Sequence, residues 1–294
     1  MEYVANVMRT DIDVAAFAAQ AEATGWDGIA VADHTVHSDR LWPHVFVAAS
    51  AAAVATEHII ITTAFANNLF RHPVEFAQAA LALQLASGGR FEAGLGAGWA
   101  AKELAAMGMA HPPPAERVER YLEALQICRA LFETGECSHQ GRWYQVDIAG
   151  FESGAAIPPK LVGALGGPRM LREASSLLDR IEVKAAGSAT RGGELDFAAL
   201  GQVSVDDVRR KVDQARQANP DAPLSFFGLC AATEASRALV EGFATDSVYK
   251  PFFGEPTQVV DALESLADLG FDRVTVSPFD PAHFELIADA RAAL

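Results

Sequence analysis

Residues 87–99 read SGGRFEAGLGAGW, in which an expected helix end, a short strand and a glycine-rich turn follow directly on one another. A strand that enters a glycine-rich turn exposes its backbone at the strand's carboxyl end, where many α/β folds hold a phosphorylated cofactor. Residues 160–168, KLVGALGGP, repeat this arrangement, with Pro168 in the first turn of an expected helix. The two stretches predict two glycine-rich junctions that open on one face of the molecule.

Strand-like and helix-like segments alternate on both sides of these junctions. Eight short apolar segments are typical of buried strands: 3–7, 28–32, 58–64, 91–95, 160–164, 180–184, 224–230 and 273–277. Amphipathic stretches with helical spacing lie between them: 14–24, 73–86, 115–132, 205–218 and 257–269. This alternation predicts the α/β class and a closed (β/α)8 TIM barrel with its active site at the carboxyl ends of the strands. A doubly wound open sheet is the alternative.

Size and composition restrict the classes of protein that this chain can belong to. Its 294 residues, half of them hydrophobic, suffice for a single barrel domain over 1–294 with longer loops at about 137–159 and 185–204. The net charge of −15 argues against binding to nucleic acid or to an anionic membrane. From the sequence we expect neither a secretory-type leader nor a membrane-spanning run, and the cysteines, Cys128, Cys137 and Cys230, fit neither a zinc site nor a disulfide framework. We therefore expect a cytoplasmic protein with free thiols.

The end of the second predicted strand carries the first candidate for chemistry, the group Asp33, His34, His37 and Asp39. One interpretation is a metal site for hydrolysis, because imidazole and carboxylate groups bind zinc and manganese. The other makes His34 an acid–base group tuned by Asp33, since the ordinary histidine pKa lies near neutrality. The residues at the remaining strand ends are Asn6, Thr63, Gly94, Ala164 and Ser277. Few of these can serve as further metal ligands. This favours the acid–base interpretation.

The glycines of the first junction have two interpretations. Gly96, Gly98 and Ala101 match a dinucleotide-binding pattern, but the acidic residue expected after the next strand is missing. We therefore interpret Gly94, Gly96 and Gly98 as positions that let the chain turn under a flat ring. Nearby aromatic residues offer walls for such a ring: Trp42, Phe65, Phe70 and Trp99.

The second junction has the features of a phosphate site. Backbone N–H groups at Gly166 and Gly167 precede a helix, and Arg169 lies beside them. A helix start attracts a dianion through its unpaired N–H groups and its dipole. The junction thus provides local positive potential in a chain that is acidic overall.

Several motifs together resemble the luciferase-like monooxygenase superfamily. They are VADH at 31–34, FRHPVEFAQAALALQLASGGRFEAGLGAGW at 70–99, RVERYLEALQICRALF at 117–132, KLVGALGGPRMLREA at 160–174 and GEPTQVVDALESLADLGFDRVTV at 254–276. The Asp-His pair, the Gly-Trp turn and the Gly-Gly-Pro-Arg helix start are most similar to the branch that uses the reduced 5-deazaflavin coenzyme F420. The resemblance implies a TIM barrel, a homodimer and a non-proline cis peptide, which we place at Thr63–Ala64.

The resemblance also implies roles for individual residues. His34 and Asp33 would be catalytic, with Asp33 orienting His34. The cofactor-binding residues would be Thr63, Ala64, Gly96, Gly98, Trp99, Leu165, Gly166, Gly167, Pro168 and Arg169. The sugar-phosphate dehydrogenases of the superfamily have a glutamate where Trp99 stands, so we do not expect a sugar-phosphate reaction.

The sequence thus predicts an oxidoreductase that transfers a hydride between reduced coenzyme F420 and a small organic substrate. FMN is the alternative cofactor, and an FMN-dependent monooxygenase that uses reduced flavin and oxygen is the alternative enzyme. Two more distant alternatives are a flavin carrier without catalytic activity and a metal-dependent barrel hydrolase.

Overall fold

Eight parallel strands close into a barrel in the computed structural model, which describes residues 1–37, 40–151, 153–190 and 194–293. The barrel strands are β1 (Glu2–Val7), β2 (Gly28–Val31), β3 (Ile60–Thr63), β4 (Phe91–Gly96), β5 (Lys160–Leu165), β6 (Arg180–Val183), β7 (Leu224–Cys230) and β8 (Arg273–Pro278). Each predicted strand is present, and β4 pairs with β5 to close the cylinder. The alternative of an open sheet is therefore wrong.

Helices surround the barrel. They are α1 (Val14–Ala23), α2 (Val45–Ala55), α3 (Pro73–Ala86), α4 (Ala101–Ala106), α5 (Pro114–Thr134), α6 (Pro168–Ala174), α7 (Phe197–Leu200), α8 (Val205–Ala218), α9 (Pro256–Glu264) and α10 (His283–Ala292). In the described part of the chain, five 3₁₀ segments accompany them at Ser175–Leu177, Ala185–Ser188, Glu234–Val240, Lys250–Phe252 and Ser265–Leu269. The predicted helix over 257–269 is thus divided into α9 and a 3₁₀ segment that ends at Gly270, whose φ is 90°.

The two predicted long loops contain local structure. The first includes most of an antiparallel hairpin formed by Glu136–Gln140 and Gln145–Ala149. The second includes the turn Ala185–Ser188 and α7. The three cysteines are buried free thiols, as predicted. Among the described residues, no helix combines the length and the apolar character needed to cross a membrane.

Successive side chains along each strand point alternately to the outer and the inner side of the barrel wall. In β1, Tyr3 points outward, where its ring packs edge-on against Trp26 at a centroid distance of 6.3 Å. Asn6, three residues on, has the opposite orientation and donates from its amide to Ser277 Oγ of β8 at 2.7 Å. The outer side is therefore an apolar layer under the helices, and the inner side carries polar groups.

Charged groups fill the amino-terminal end of the barrel, which we call the barrel floor. Arg273 of β8 is 3% exposed and pairs with Glu92 of β4, and its Nε donates to Glu2 of β1 at 2.8 Å. Lys160 of β5 lies 3.5 Å from Glu92, and Arg180 of β6 lies 3.5 Å from Glu2. Although burial opposes ionisation, the Arg273 charge lowers the pKa of Glu92 below its usual value. These pairs join five strands at one end.

Candidate active site

His34 lies at the carboxyl end of β2 and is held by Glu103 of α4. Its Nδ1 is 2.9 Å from Glu103 Oε2, and both side chains are buried, at 8% and 1% exposed. The other carboxylate oxygen of Glu103 accepts the backbone N–H of Thr35. Glu103 therefore fixes both the histidine ring and the loop that carries it, which is the orienting role that we predicted for Asp33.

Asp33 has other partners. Its carboxylate accepts hydrogen bonds from Nη1 and Nη2 of Arg71. It also accepts one from the backbone N–H of Asn67 at 2.6 Å. Successive side chains of an extended segment point to opposite sides, so Asp33 faces the segment after β3 while His34 faces α4. The prediction that Asp33 orients His34 is wrong, because these bonds direct its carboxylate to the 66–71 segment.

Aromatic rings surround His34. The ring of His37 stacks on it at a centroid distance of 4.4 Å, Trp42 lies at 5.0 Å and Trp99 at 6.1 Å. Burial, and the nearby His34, lower the pKa of His37 below its usual value. Asp39, the fourth member of the predicted group, lies outside the described residues.

Three possible metal ligands meet at the same place. One nitrogen each from His34 and His37 and one oxygen of Glu103 lie within 4.8 Å of one another. The ligand set that we considered from the sequence used Asp33 instead of Glu103. Asp33 is not part of this cluster, because its carboxylate is paired with Arg71.

The non-proline cis peptide lies between Ala64 and Phe65, one residue after the predicted Thr63–Ala64 bond. The N–H of Ala64 still bonds to Val31 O at 2.8 Å, so regular pairing with β2 continues through Ala64. The bulge therefore begins only after that residue.

The glycines of the first junction make room for this bulge. A Cβ on Gly94 would lie 1.8 Å from Thr63 O, and one on Gly96 would lie 3.1 Å from Phe65 Cβ. Gly98 has a φ of +79°, and its Cβ would lie 2.6 Å from Asn67 Oδ1. These positions need glycine because the 63–67 segment packs directly against them. A contact between the glycines and a cofactor ring stays a prediction.

The second junction has an open backbone. Gly167 precedes α6, and a Cβ on this residue would meet no atom within 4 Å. Lys211 of α8 donates to Gly166 O. Arg169 is 43% exposed and pairs with Glu173 at 3.1 Å. The first turn of α6 has N–H groups without helical partners, beside one paired guanidinium and one ammonium group.

Three residues of this mouth carried no prediction of a role at the site: Glu103, Arg71 and Lys184. Lys184 follows β6, pairs with Glu182 at 2.7 Å and lies 3.9 Å above the centre of the Phe227 ring. Their sequence signal is weak, because Glu103 and Arg71 occur in or before helical patterns, where charged residues are usually solvated. Only the closed barrel brings them to His34, Asp33 and the bulge.

A cavity of about 450 Å³ opens beside the histidines, at the carboxyl ends of β1 and β8. We call it the β1–β8 cavity. Its lining includes His37 and Trp42 on one side and Phe279 and Phe284 on another, with Asn6 on the strand between them. Its volume lies within the range of small-molecule sites, roughly 300–1,000 Å³.

The fold is an α/β barrel with polar groups gathered at the carboxyl ends of its strands, and the sequence assigns it to a family. The chain belongs to the luciferase-like monooxygenase family, which it matches over residues 12–190. It is 30% identical over 160 residues to an F420-dependent glucose-6-phosphate dehydrogenase of Amycolatopsis mediterranei, a match that covers 53% of this chain and 48% of the relative. The chain thus spans about half the length of the first of its curated relatives.

Other relatives match over most of their length. A 5,10-methylenetetrahydromethanopterin reductase of Methanolobus tindarius is 26% identical, with 92% of this chain and 91% of the relative covered. Among solved structures, an F420-dependent secondary alcohol dehydrogenase in complex with an F420–acetone adduct has a TM-score of 0.75 at 17% identity, covering 99% of this chain and 97% of the other. This structural similarity shows the shared fold.

Proposed function

We propose that this protein is an F420-dependent oxidoreductase that exchanges a hydride with a small organic substrate. The observation that carries the proposal is the buried His34–Glu103 pair at the end of β2, in the barrel mouth of a luciferase-like chain. The names of the similar dehydrogenases and reductases support coenzyme F420 as the cofactor.

The residues of the chain provide the proton chemistry. Because Glu103 accepts from Nδ1 of His34, the neutral ring has its proton on Nδ1 and a free lone pair on Nε2. Nε2 can then take a proton from a substrate hydroxyl or return it to a carbonyl oxygen. Glu103 is a positioning residue, since it acts on the substrate only through His34.

The second junction fits the phosphate of such a cofactor. The open space at Gly167 allows an anion to approach the backbone, and the start of α6 favours negative charge. Arg169 and Lys211 supply nearby positive charge. When bound, the deazaflavin supplies the hydride donor or acceptor. The protein positions it and moves the accompanying proton.

A binding experiment tests this proposal. The purified chain is titrated with coenzyme F420 and, separately, with FMN, and binding is followed by the cofactor's visible absorbance. We expect binding of coenzyme F420 in preference to FMN. Tight FMN binding together with oxygen uptake on addition of reduced FMN would contradict the proposal.

That second result would support the alternative, an FMN-dependent monooxygenase. The observation behind it is the similarity in fold to the oxygenating constituent of 3,6-diketocamphane monooxygenase in complex with FMN, with a TM-score of 0.70 at 16% identity and 99% and 96% of the two chains covered. Such an enzyme must protect its reactive centre from water, and the rings of Trp42 and Trp99 beside His34 could do this.

We also propose a cytoplasmic homodimer. Val47 and Val54 of α2 lie seven positions apart on one helical face and are 68% and 80% exposed. An apolar face of this kind is suited to pairing with a second copy. Buried free thiols are consistent with a reducing compartment. Light scattering at micromolar concentration tests the dimer, and a monomer there would contradict it.

A further inference from the structure

The three possible metal ligands of the barrel mouth come from two neighbouring segments. His34 and His37 belong to the loop after β2, and Glu103 belongs to α4. The side chains of His34 and Glu103 are buried, and one ligand atom from each of the three residues lies within 4.8 Å of the other two. Two imidazoles and one carboxylate are the protein ligands of one common type of zinc site, which leaves the fourth position open.

The distance between the two buried ligands suits a small divalent ion. Zinc bonds to nitrogen and oxygen of about 2.0–2.2 Å place two ligands of a tetrahedral ion roughly 3.3–3.6 Å apart. His34 Nδ1 and Glu103 Oε2 are 2.9 Å apart and share one proton. An ion that replaces this proton therefore needs the two atoms to separate by roughly half an ångström.

His37 can supply the third ligand after a turn of its ring. The ring stacks on that of His34 with an angle of 24° between their planes, so the nitrogen lone pairs of the two rings run nearly parallel. The side chain of His37 is only partly buried and lines the β1–β8 cavity, which gives the ring space to turn toward Glu103. The same cavity provides a path for the ion and can hold a water molecule as the fourth ligand.

Hydrogen bonds fix the loop that carries the two histidines. The second oxygen of Glu103 accepts the backbone N–H of Thr35. Trp42 donates from its backbone N–H to Thr35 O at 3.0 Å and from its indole N–H to His37 O at 3.2 Å. Such outer contacts orient metal ligands and raise the affinity of a site. The backbone positions of the ligands are therefore set before an ion binds.

The charges around the cluster allow a cation to bind. The two basic side chains next to its elements, Arg71 and Lys102, are paired with Asp33 and Glu194. Arg40, in the same loop as the histidines, is exposed, so water and salt screen its charge. The net charge of −15 also raises the concentration of cations near the protein.

We propose that His34, His37 and Glu103 bind one zinc ion, and that this ion blocks the proton transfer by His34. A neutral imidazole that binds a metal through Nδ1 carries its proton on Nε2. The proton that was on Nδ1 thus moves through solvent to Nε2, which then has no lone pair for a substrate proton. The blocked step rests on the proposed function, whereas the binding of zinc does not.

Calorimetric titration of the full chain with zinc chloride, without cofactor, tests the site. We expect one zinc ion per chain, bound at least about tenfold more tightly than Mg²⁺, which prefers oxygen ligands. His37→Phe keeps a ring beside His34 but removes the nitrogen, so it should weaken zinc binding at least about tenfold. His58→Phe, at an exposed histidine beside Glu57, is the matched control. Equal zinc affinity in the two variants would overturn the proposal.

Thermal unfolding provides a second measurement that does not depend on calorimetry. A ligand that binds only the folded chain raises the melting temperature. Zinc should therefore raise the melting temperature of the His58→Phe control more than that of His37→Phe. The same upward shift in both variants would mean that zinc binds elsewhere, against the proposal.

The effect on His34 is measured by NMR of the chain labelled with ¹⁵N in its histidines, again without cofactor. The His34 signals are assigned by their loss in His34→Asn. Saturation with zinc should move the His34 proton from Nδ1 to Nε2. A lone pair that stays on Nε2 in the zinc-saturated chain would overturn the proposal.

These measurements separate the zinc site from the proposed function. If zinc binds through His37 but coenzyme F420 does not bind, the metal site stands and the proposed function fails. If coenzyme F420 binds and zinc affinity does not depend on His37, the function stands and the zinc site fails.

Discussion

The two ends of the barrel use buried charge in different ways. On the barrel floor, Arg273, Glu92 and Glu2 all belong to barrel strands, and their pairs join those strands directly. At the mouth, the partners of Asp33 and His34 come from segments that follow the strands, namely Arg71 and Glu103. The floor therefore holds the cylinder closed, and the mouth holds loops in position over it. Variants at the two ends should change different measured quantities.

The largest effect is expected at the mouth. His34→Asn removes the proposed proton acceptor, so kcat/KM with coenzyme F420 should fall roughly 100- to 10,000-fold. The melting temperature should change little. His58→Asn, at a site where the side chain is 83% exposed, is the matched control. Activity near that of the control would remove His34 from the mechanism.

Variants on the barrel floor should change the stability of the fold. Arg273→Met leaves Glu92 as a buried carboxylate without its main partner, which should lower the free energy of unfolding by about 3–5 kcal/mol. Urea denaturation measures this loss in the free energy of unfolding. The control is Arg172→Met, which changes an exposed ion pair. Adding Glu92→Leu to Arg273→Met should recover part of the loss. A loss equal to that of the control would mean that the floor does not stabilise the fold.

Glu103→Gln separates positioning from direct catalysis. The amide can still accept from Thr35 N–H, but its NH₂ group donates to Nδ1 and favours the other histidine tautomer. We expect kcat to fall roughly 10- to 100-fold, with an altered pH–rate profile and an unchanged Kd for coenzyme F420. A purely structural role would instead lower the melting temperature and leave the pH–rate profile of the remaining activity unchanged.

The contribution of the barrel floor to stability should also depend on pH. The pKa of Glu92 is lowered in the folded protein, so its contribution to stability is complete above the ordinary glutamate pKa, about 4.3, and is lost as the pH falls through the folded value. The difference in unfolding free energy between the wild type and Glu92→Gln should therefore shrink from pH 7 toward pH 3. A constant difference would show that the ionised pair is not what Glu92 contributes.

The smallest effect is expected at the second junction. Gly167→Ala adds a methyl group in open space, so it should cost less than about 1 kcal/mol of stability. The same methyl group would crowd a bound phosphate and should raise the Kd for coenzyme F420 about tenfold. Gly242→Ala, also in open space, is the control. Equal Kd values for the two variants would place the phosphate elsewhere.

The sequence predicted the barrel because strands and helices leave local signals. Short apolar segments located all eight barrel strands. Helical spacing located the helices, and α3 and α8 have the predicted bounds. The cis peptide was placed one residue early, because the pairing of Ala64 N–H with Val31 O depends on how two strands align. The orienting residue was assigned wrongly for a related reason. Asp33 is adjacent to His34 in sequence, but Glu103 is the residue that contacts its ring.

The alternation of segments, the glycine junctions and the Asp-His pair at a strand end were readable in the order of residues alone, since each depends on neighbours within a few positions. The partners of those residues were decided only by tertiary structure. Glu103 lies 69 positions from His34, and Arg273 lies 181 positions from Glu92. Closing the cylinder sets these contacts and the β1–β8 cavity, because only the closed barrel brings the ends of distant strands together.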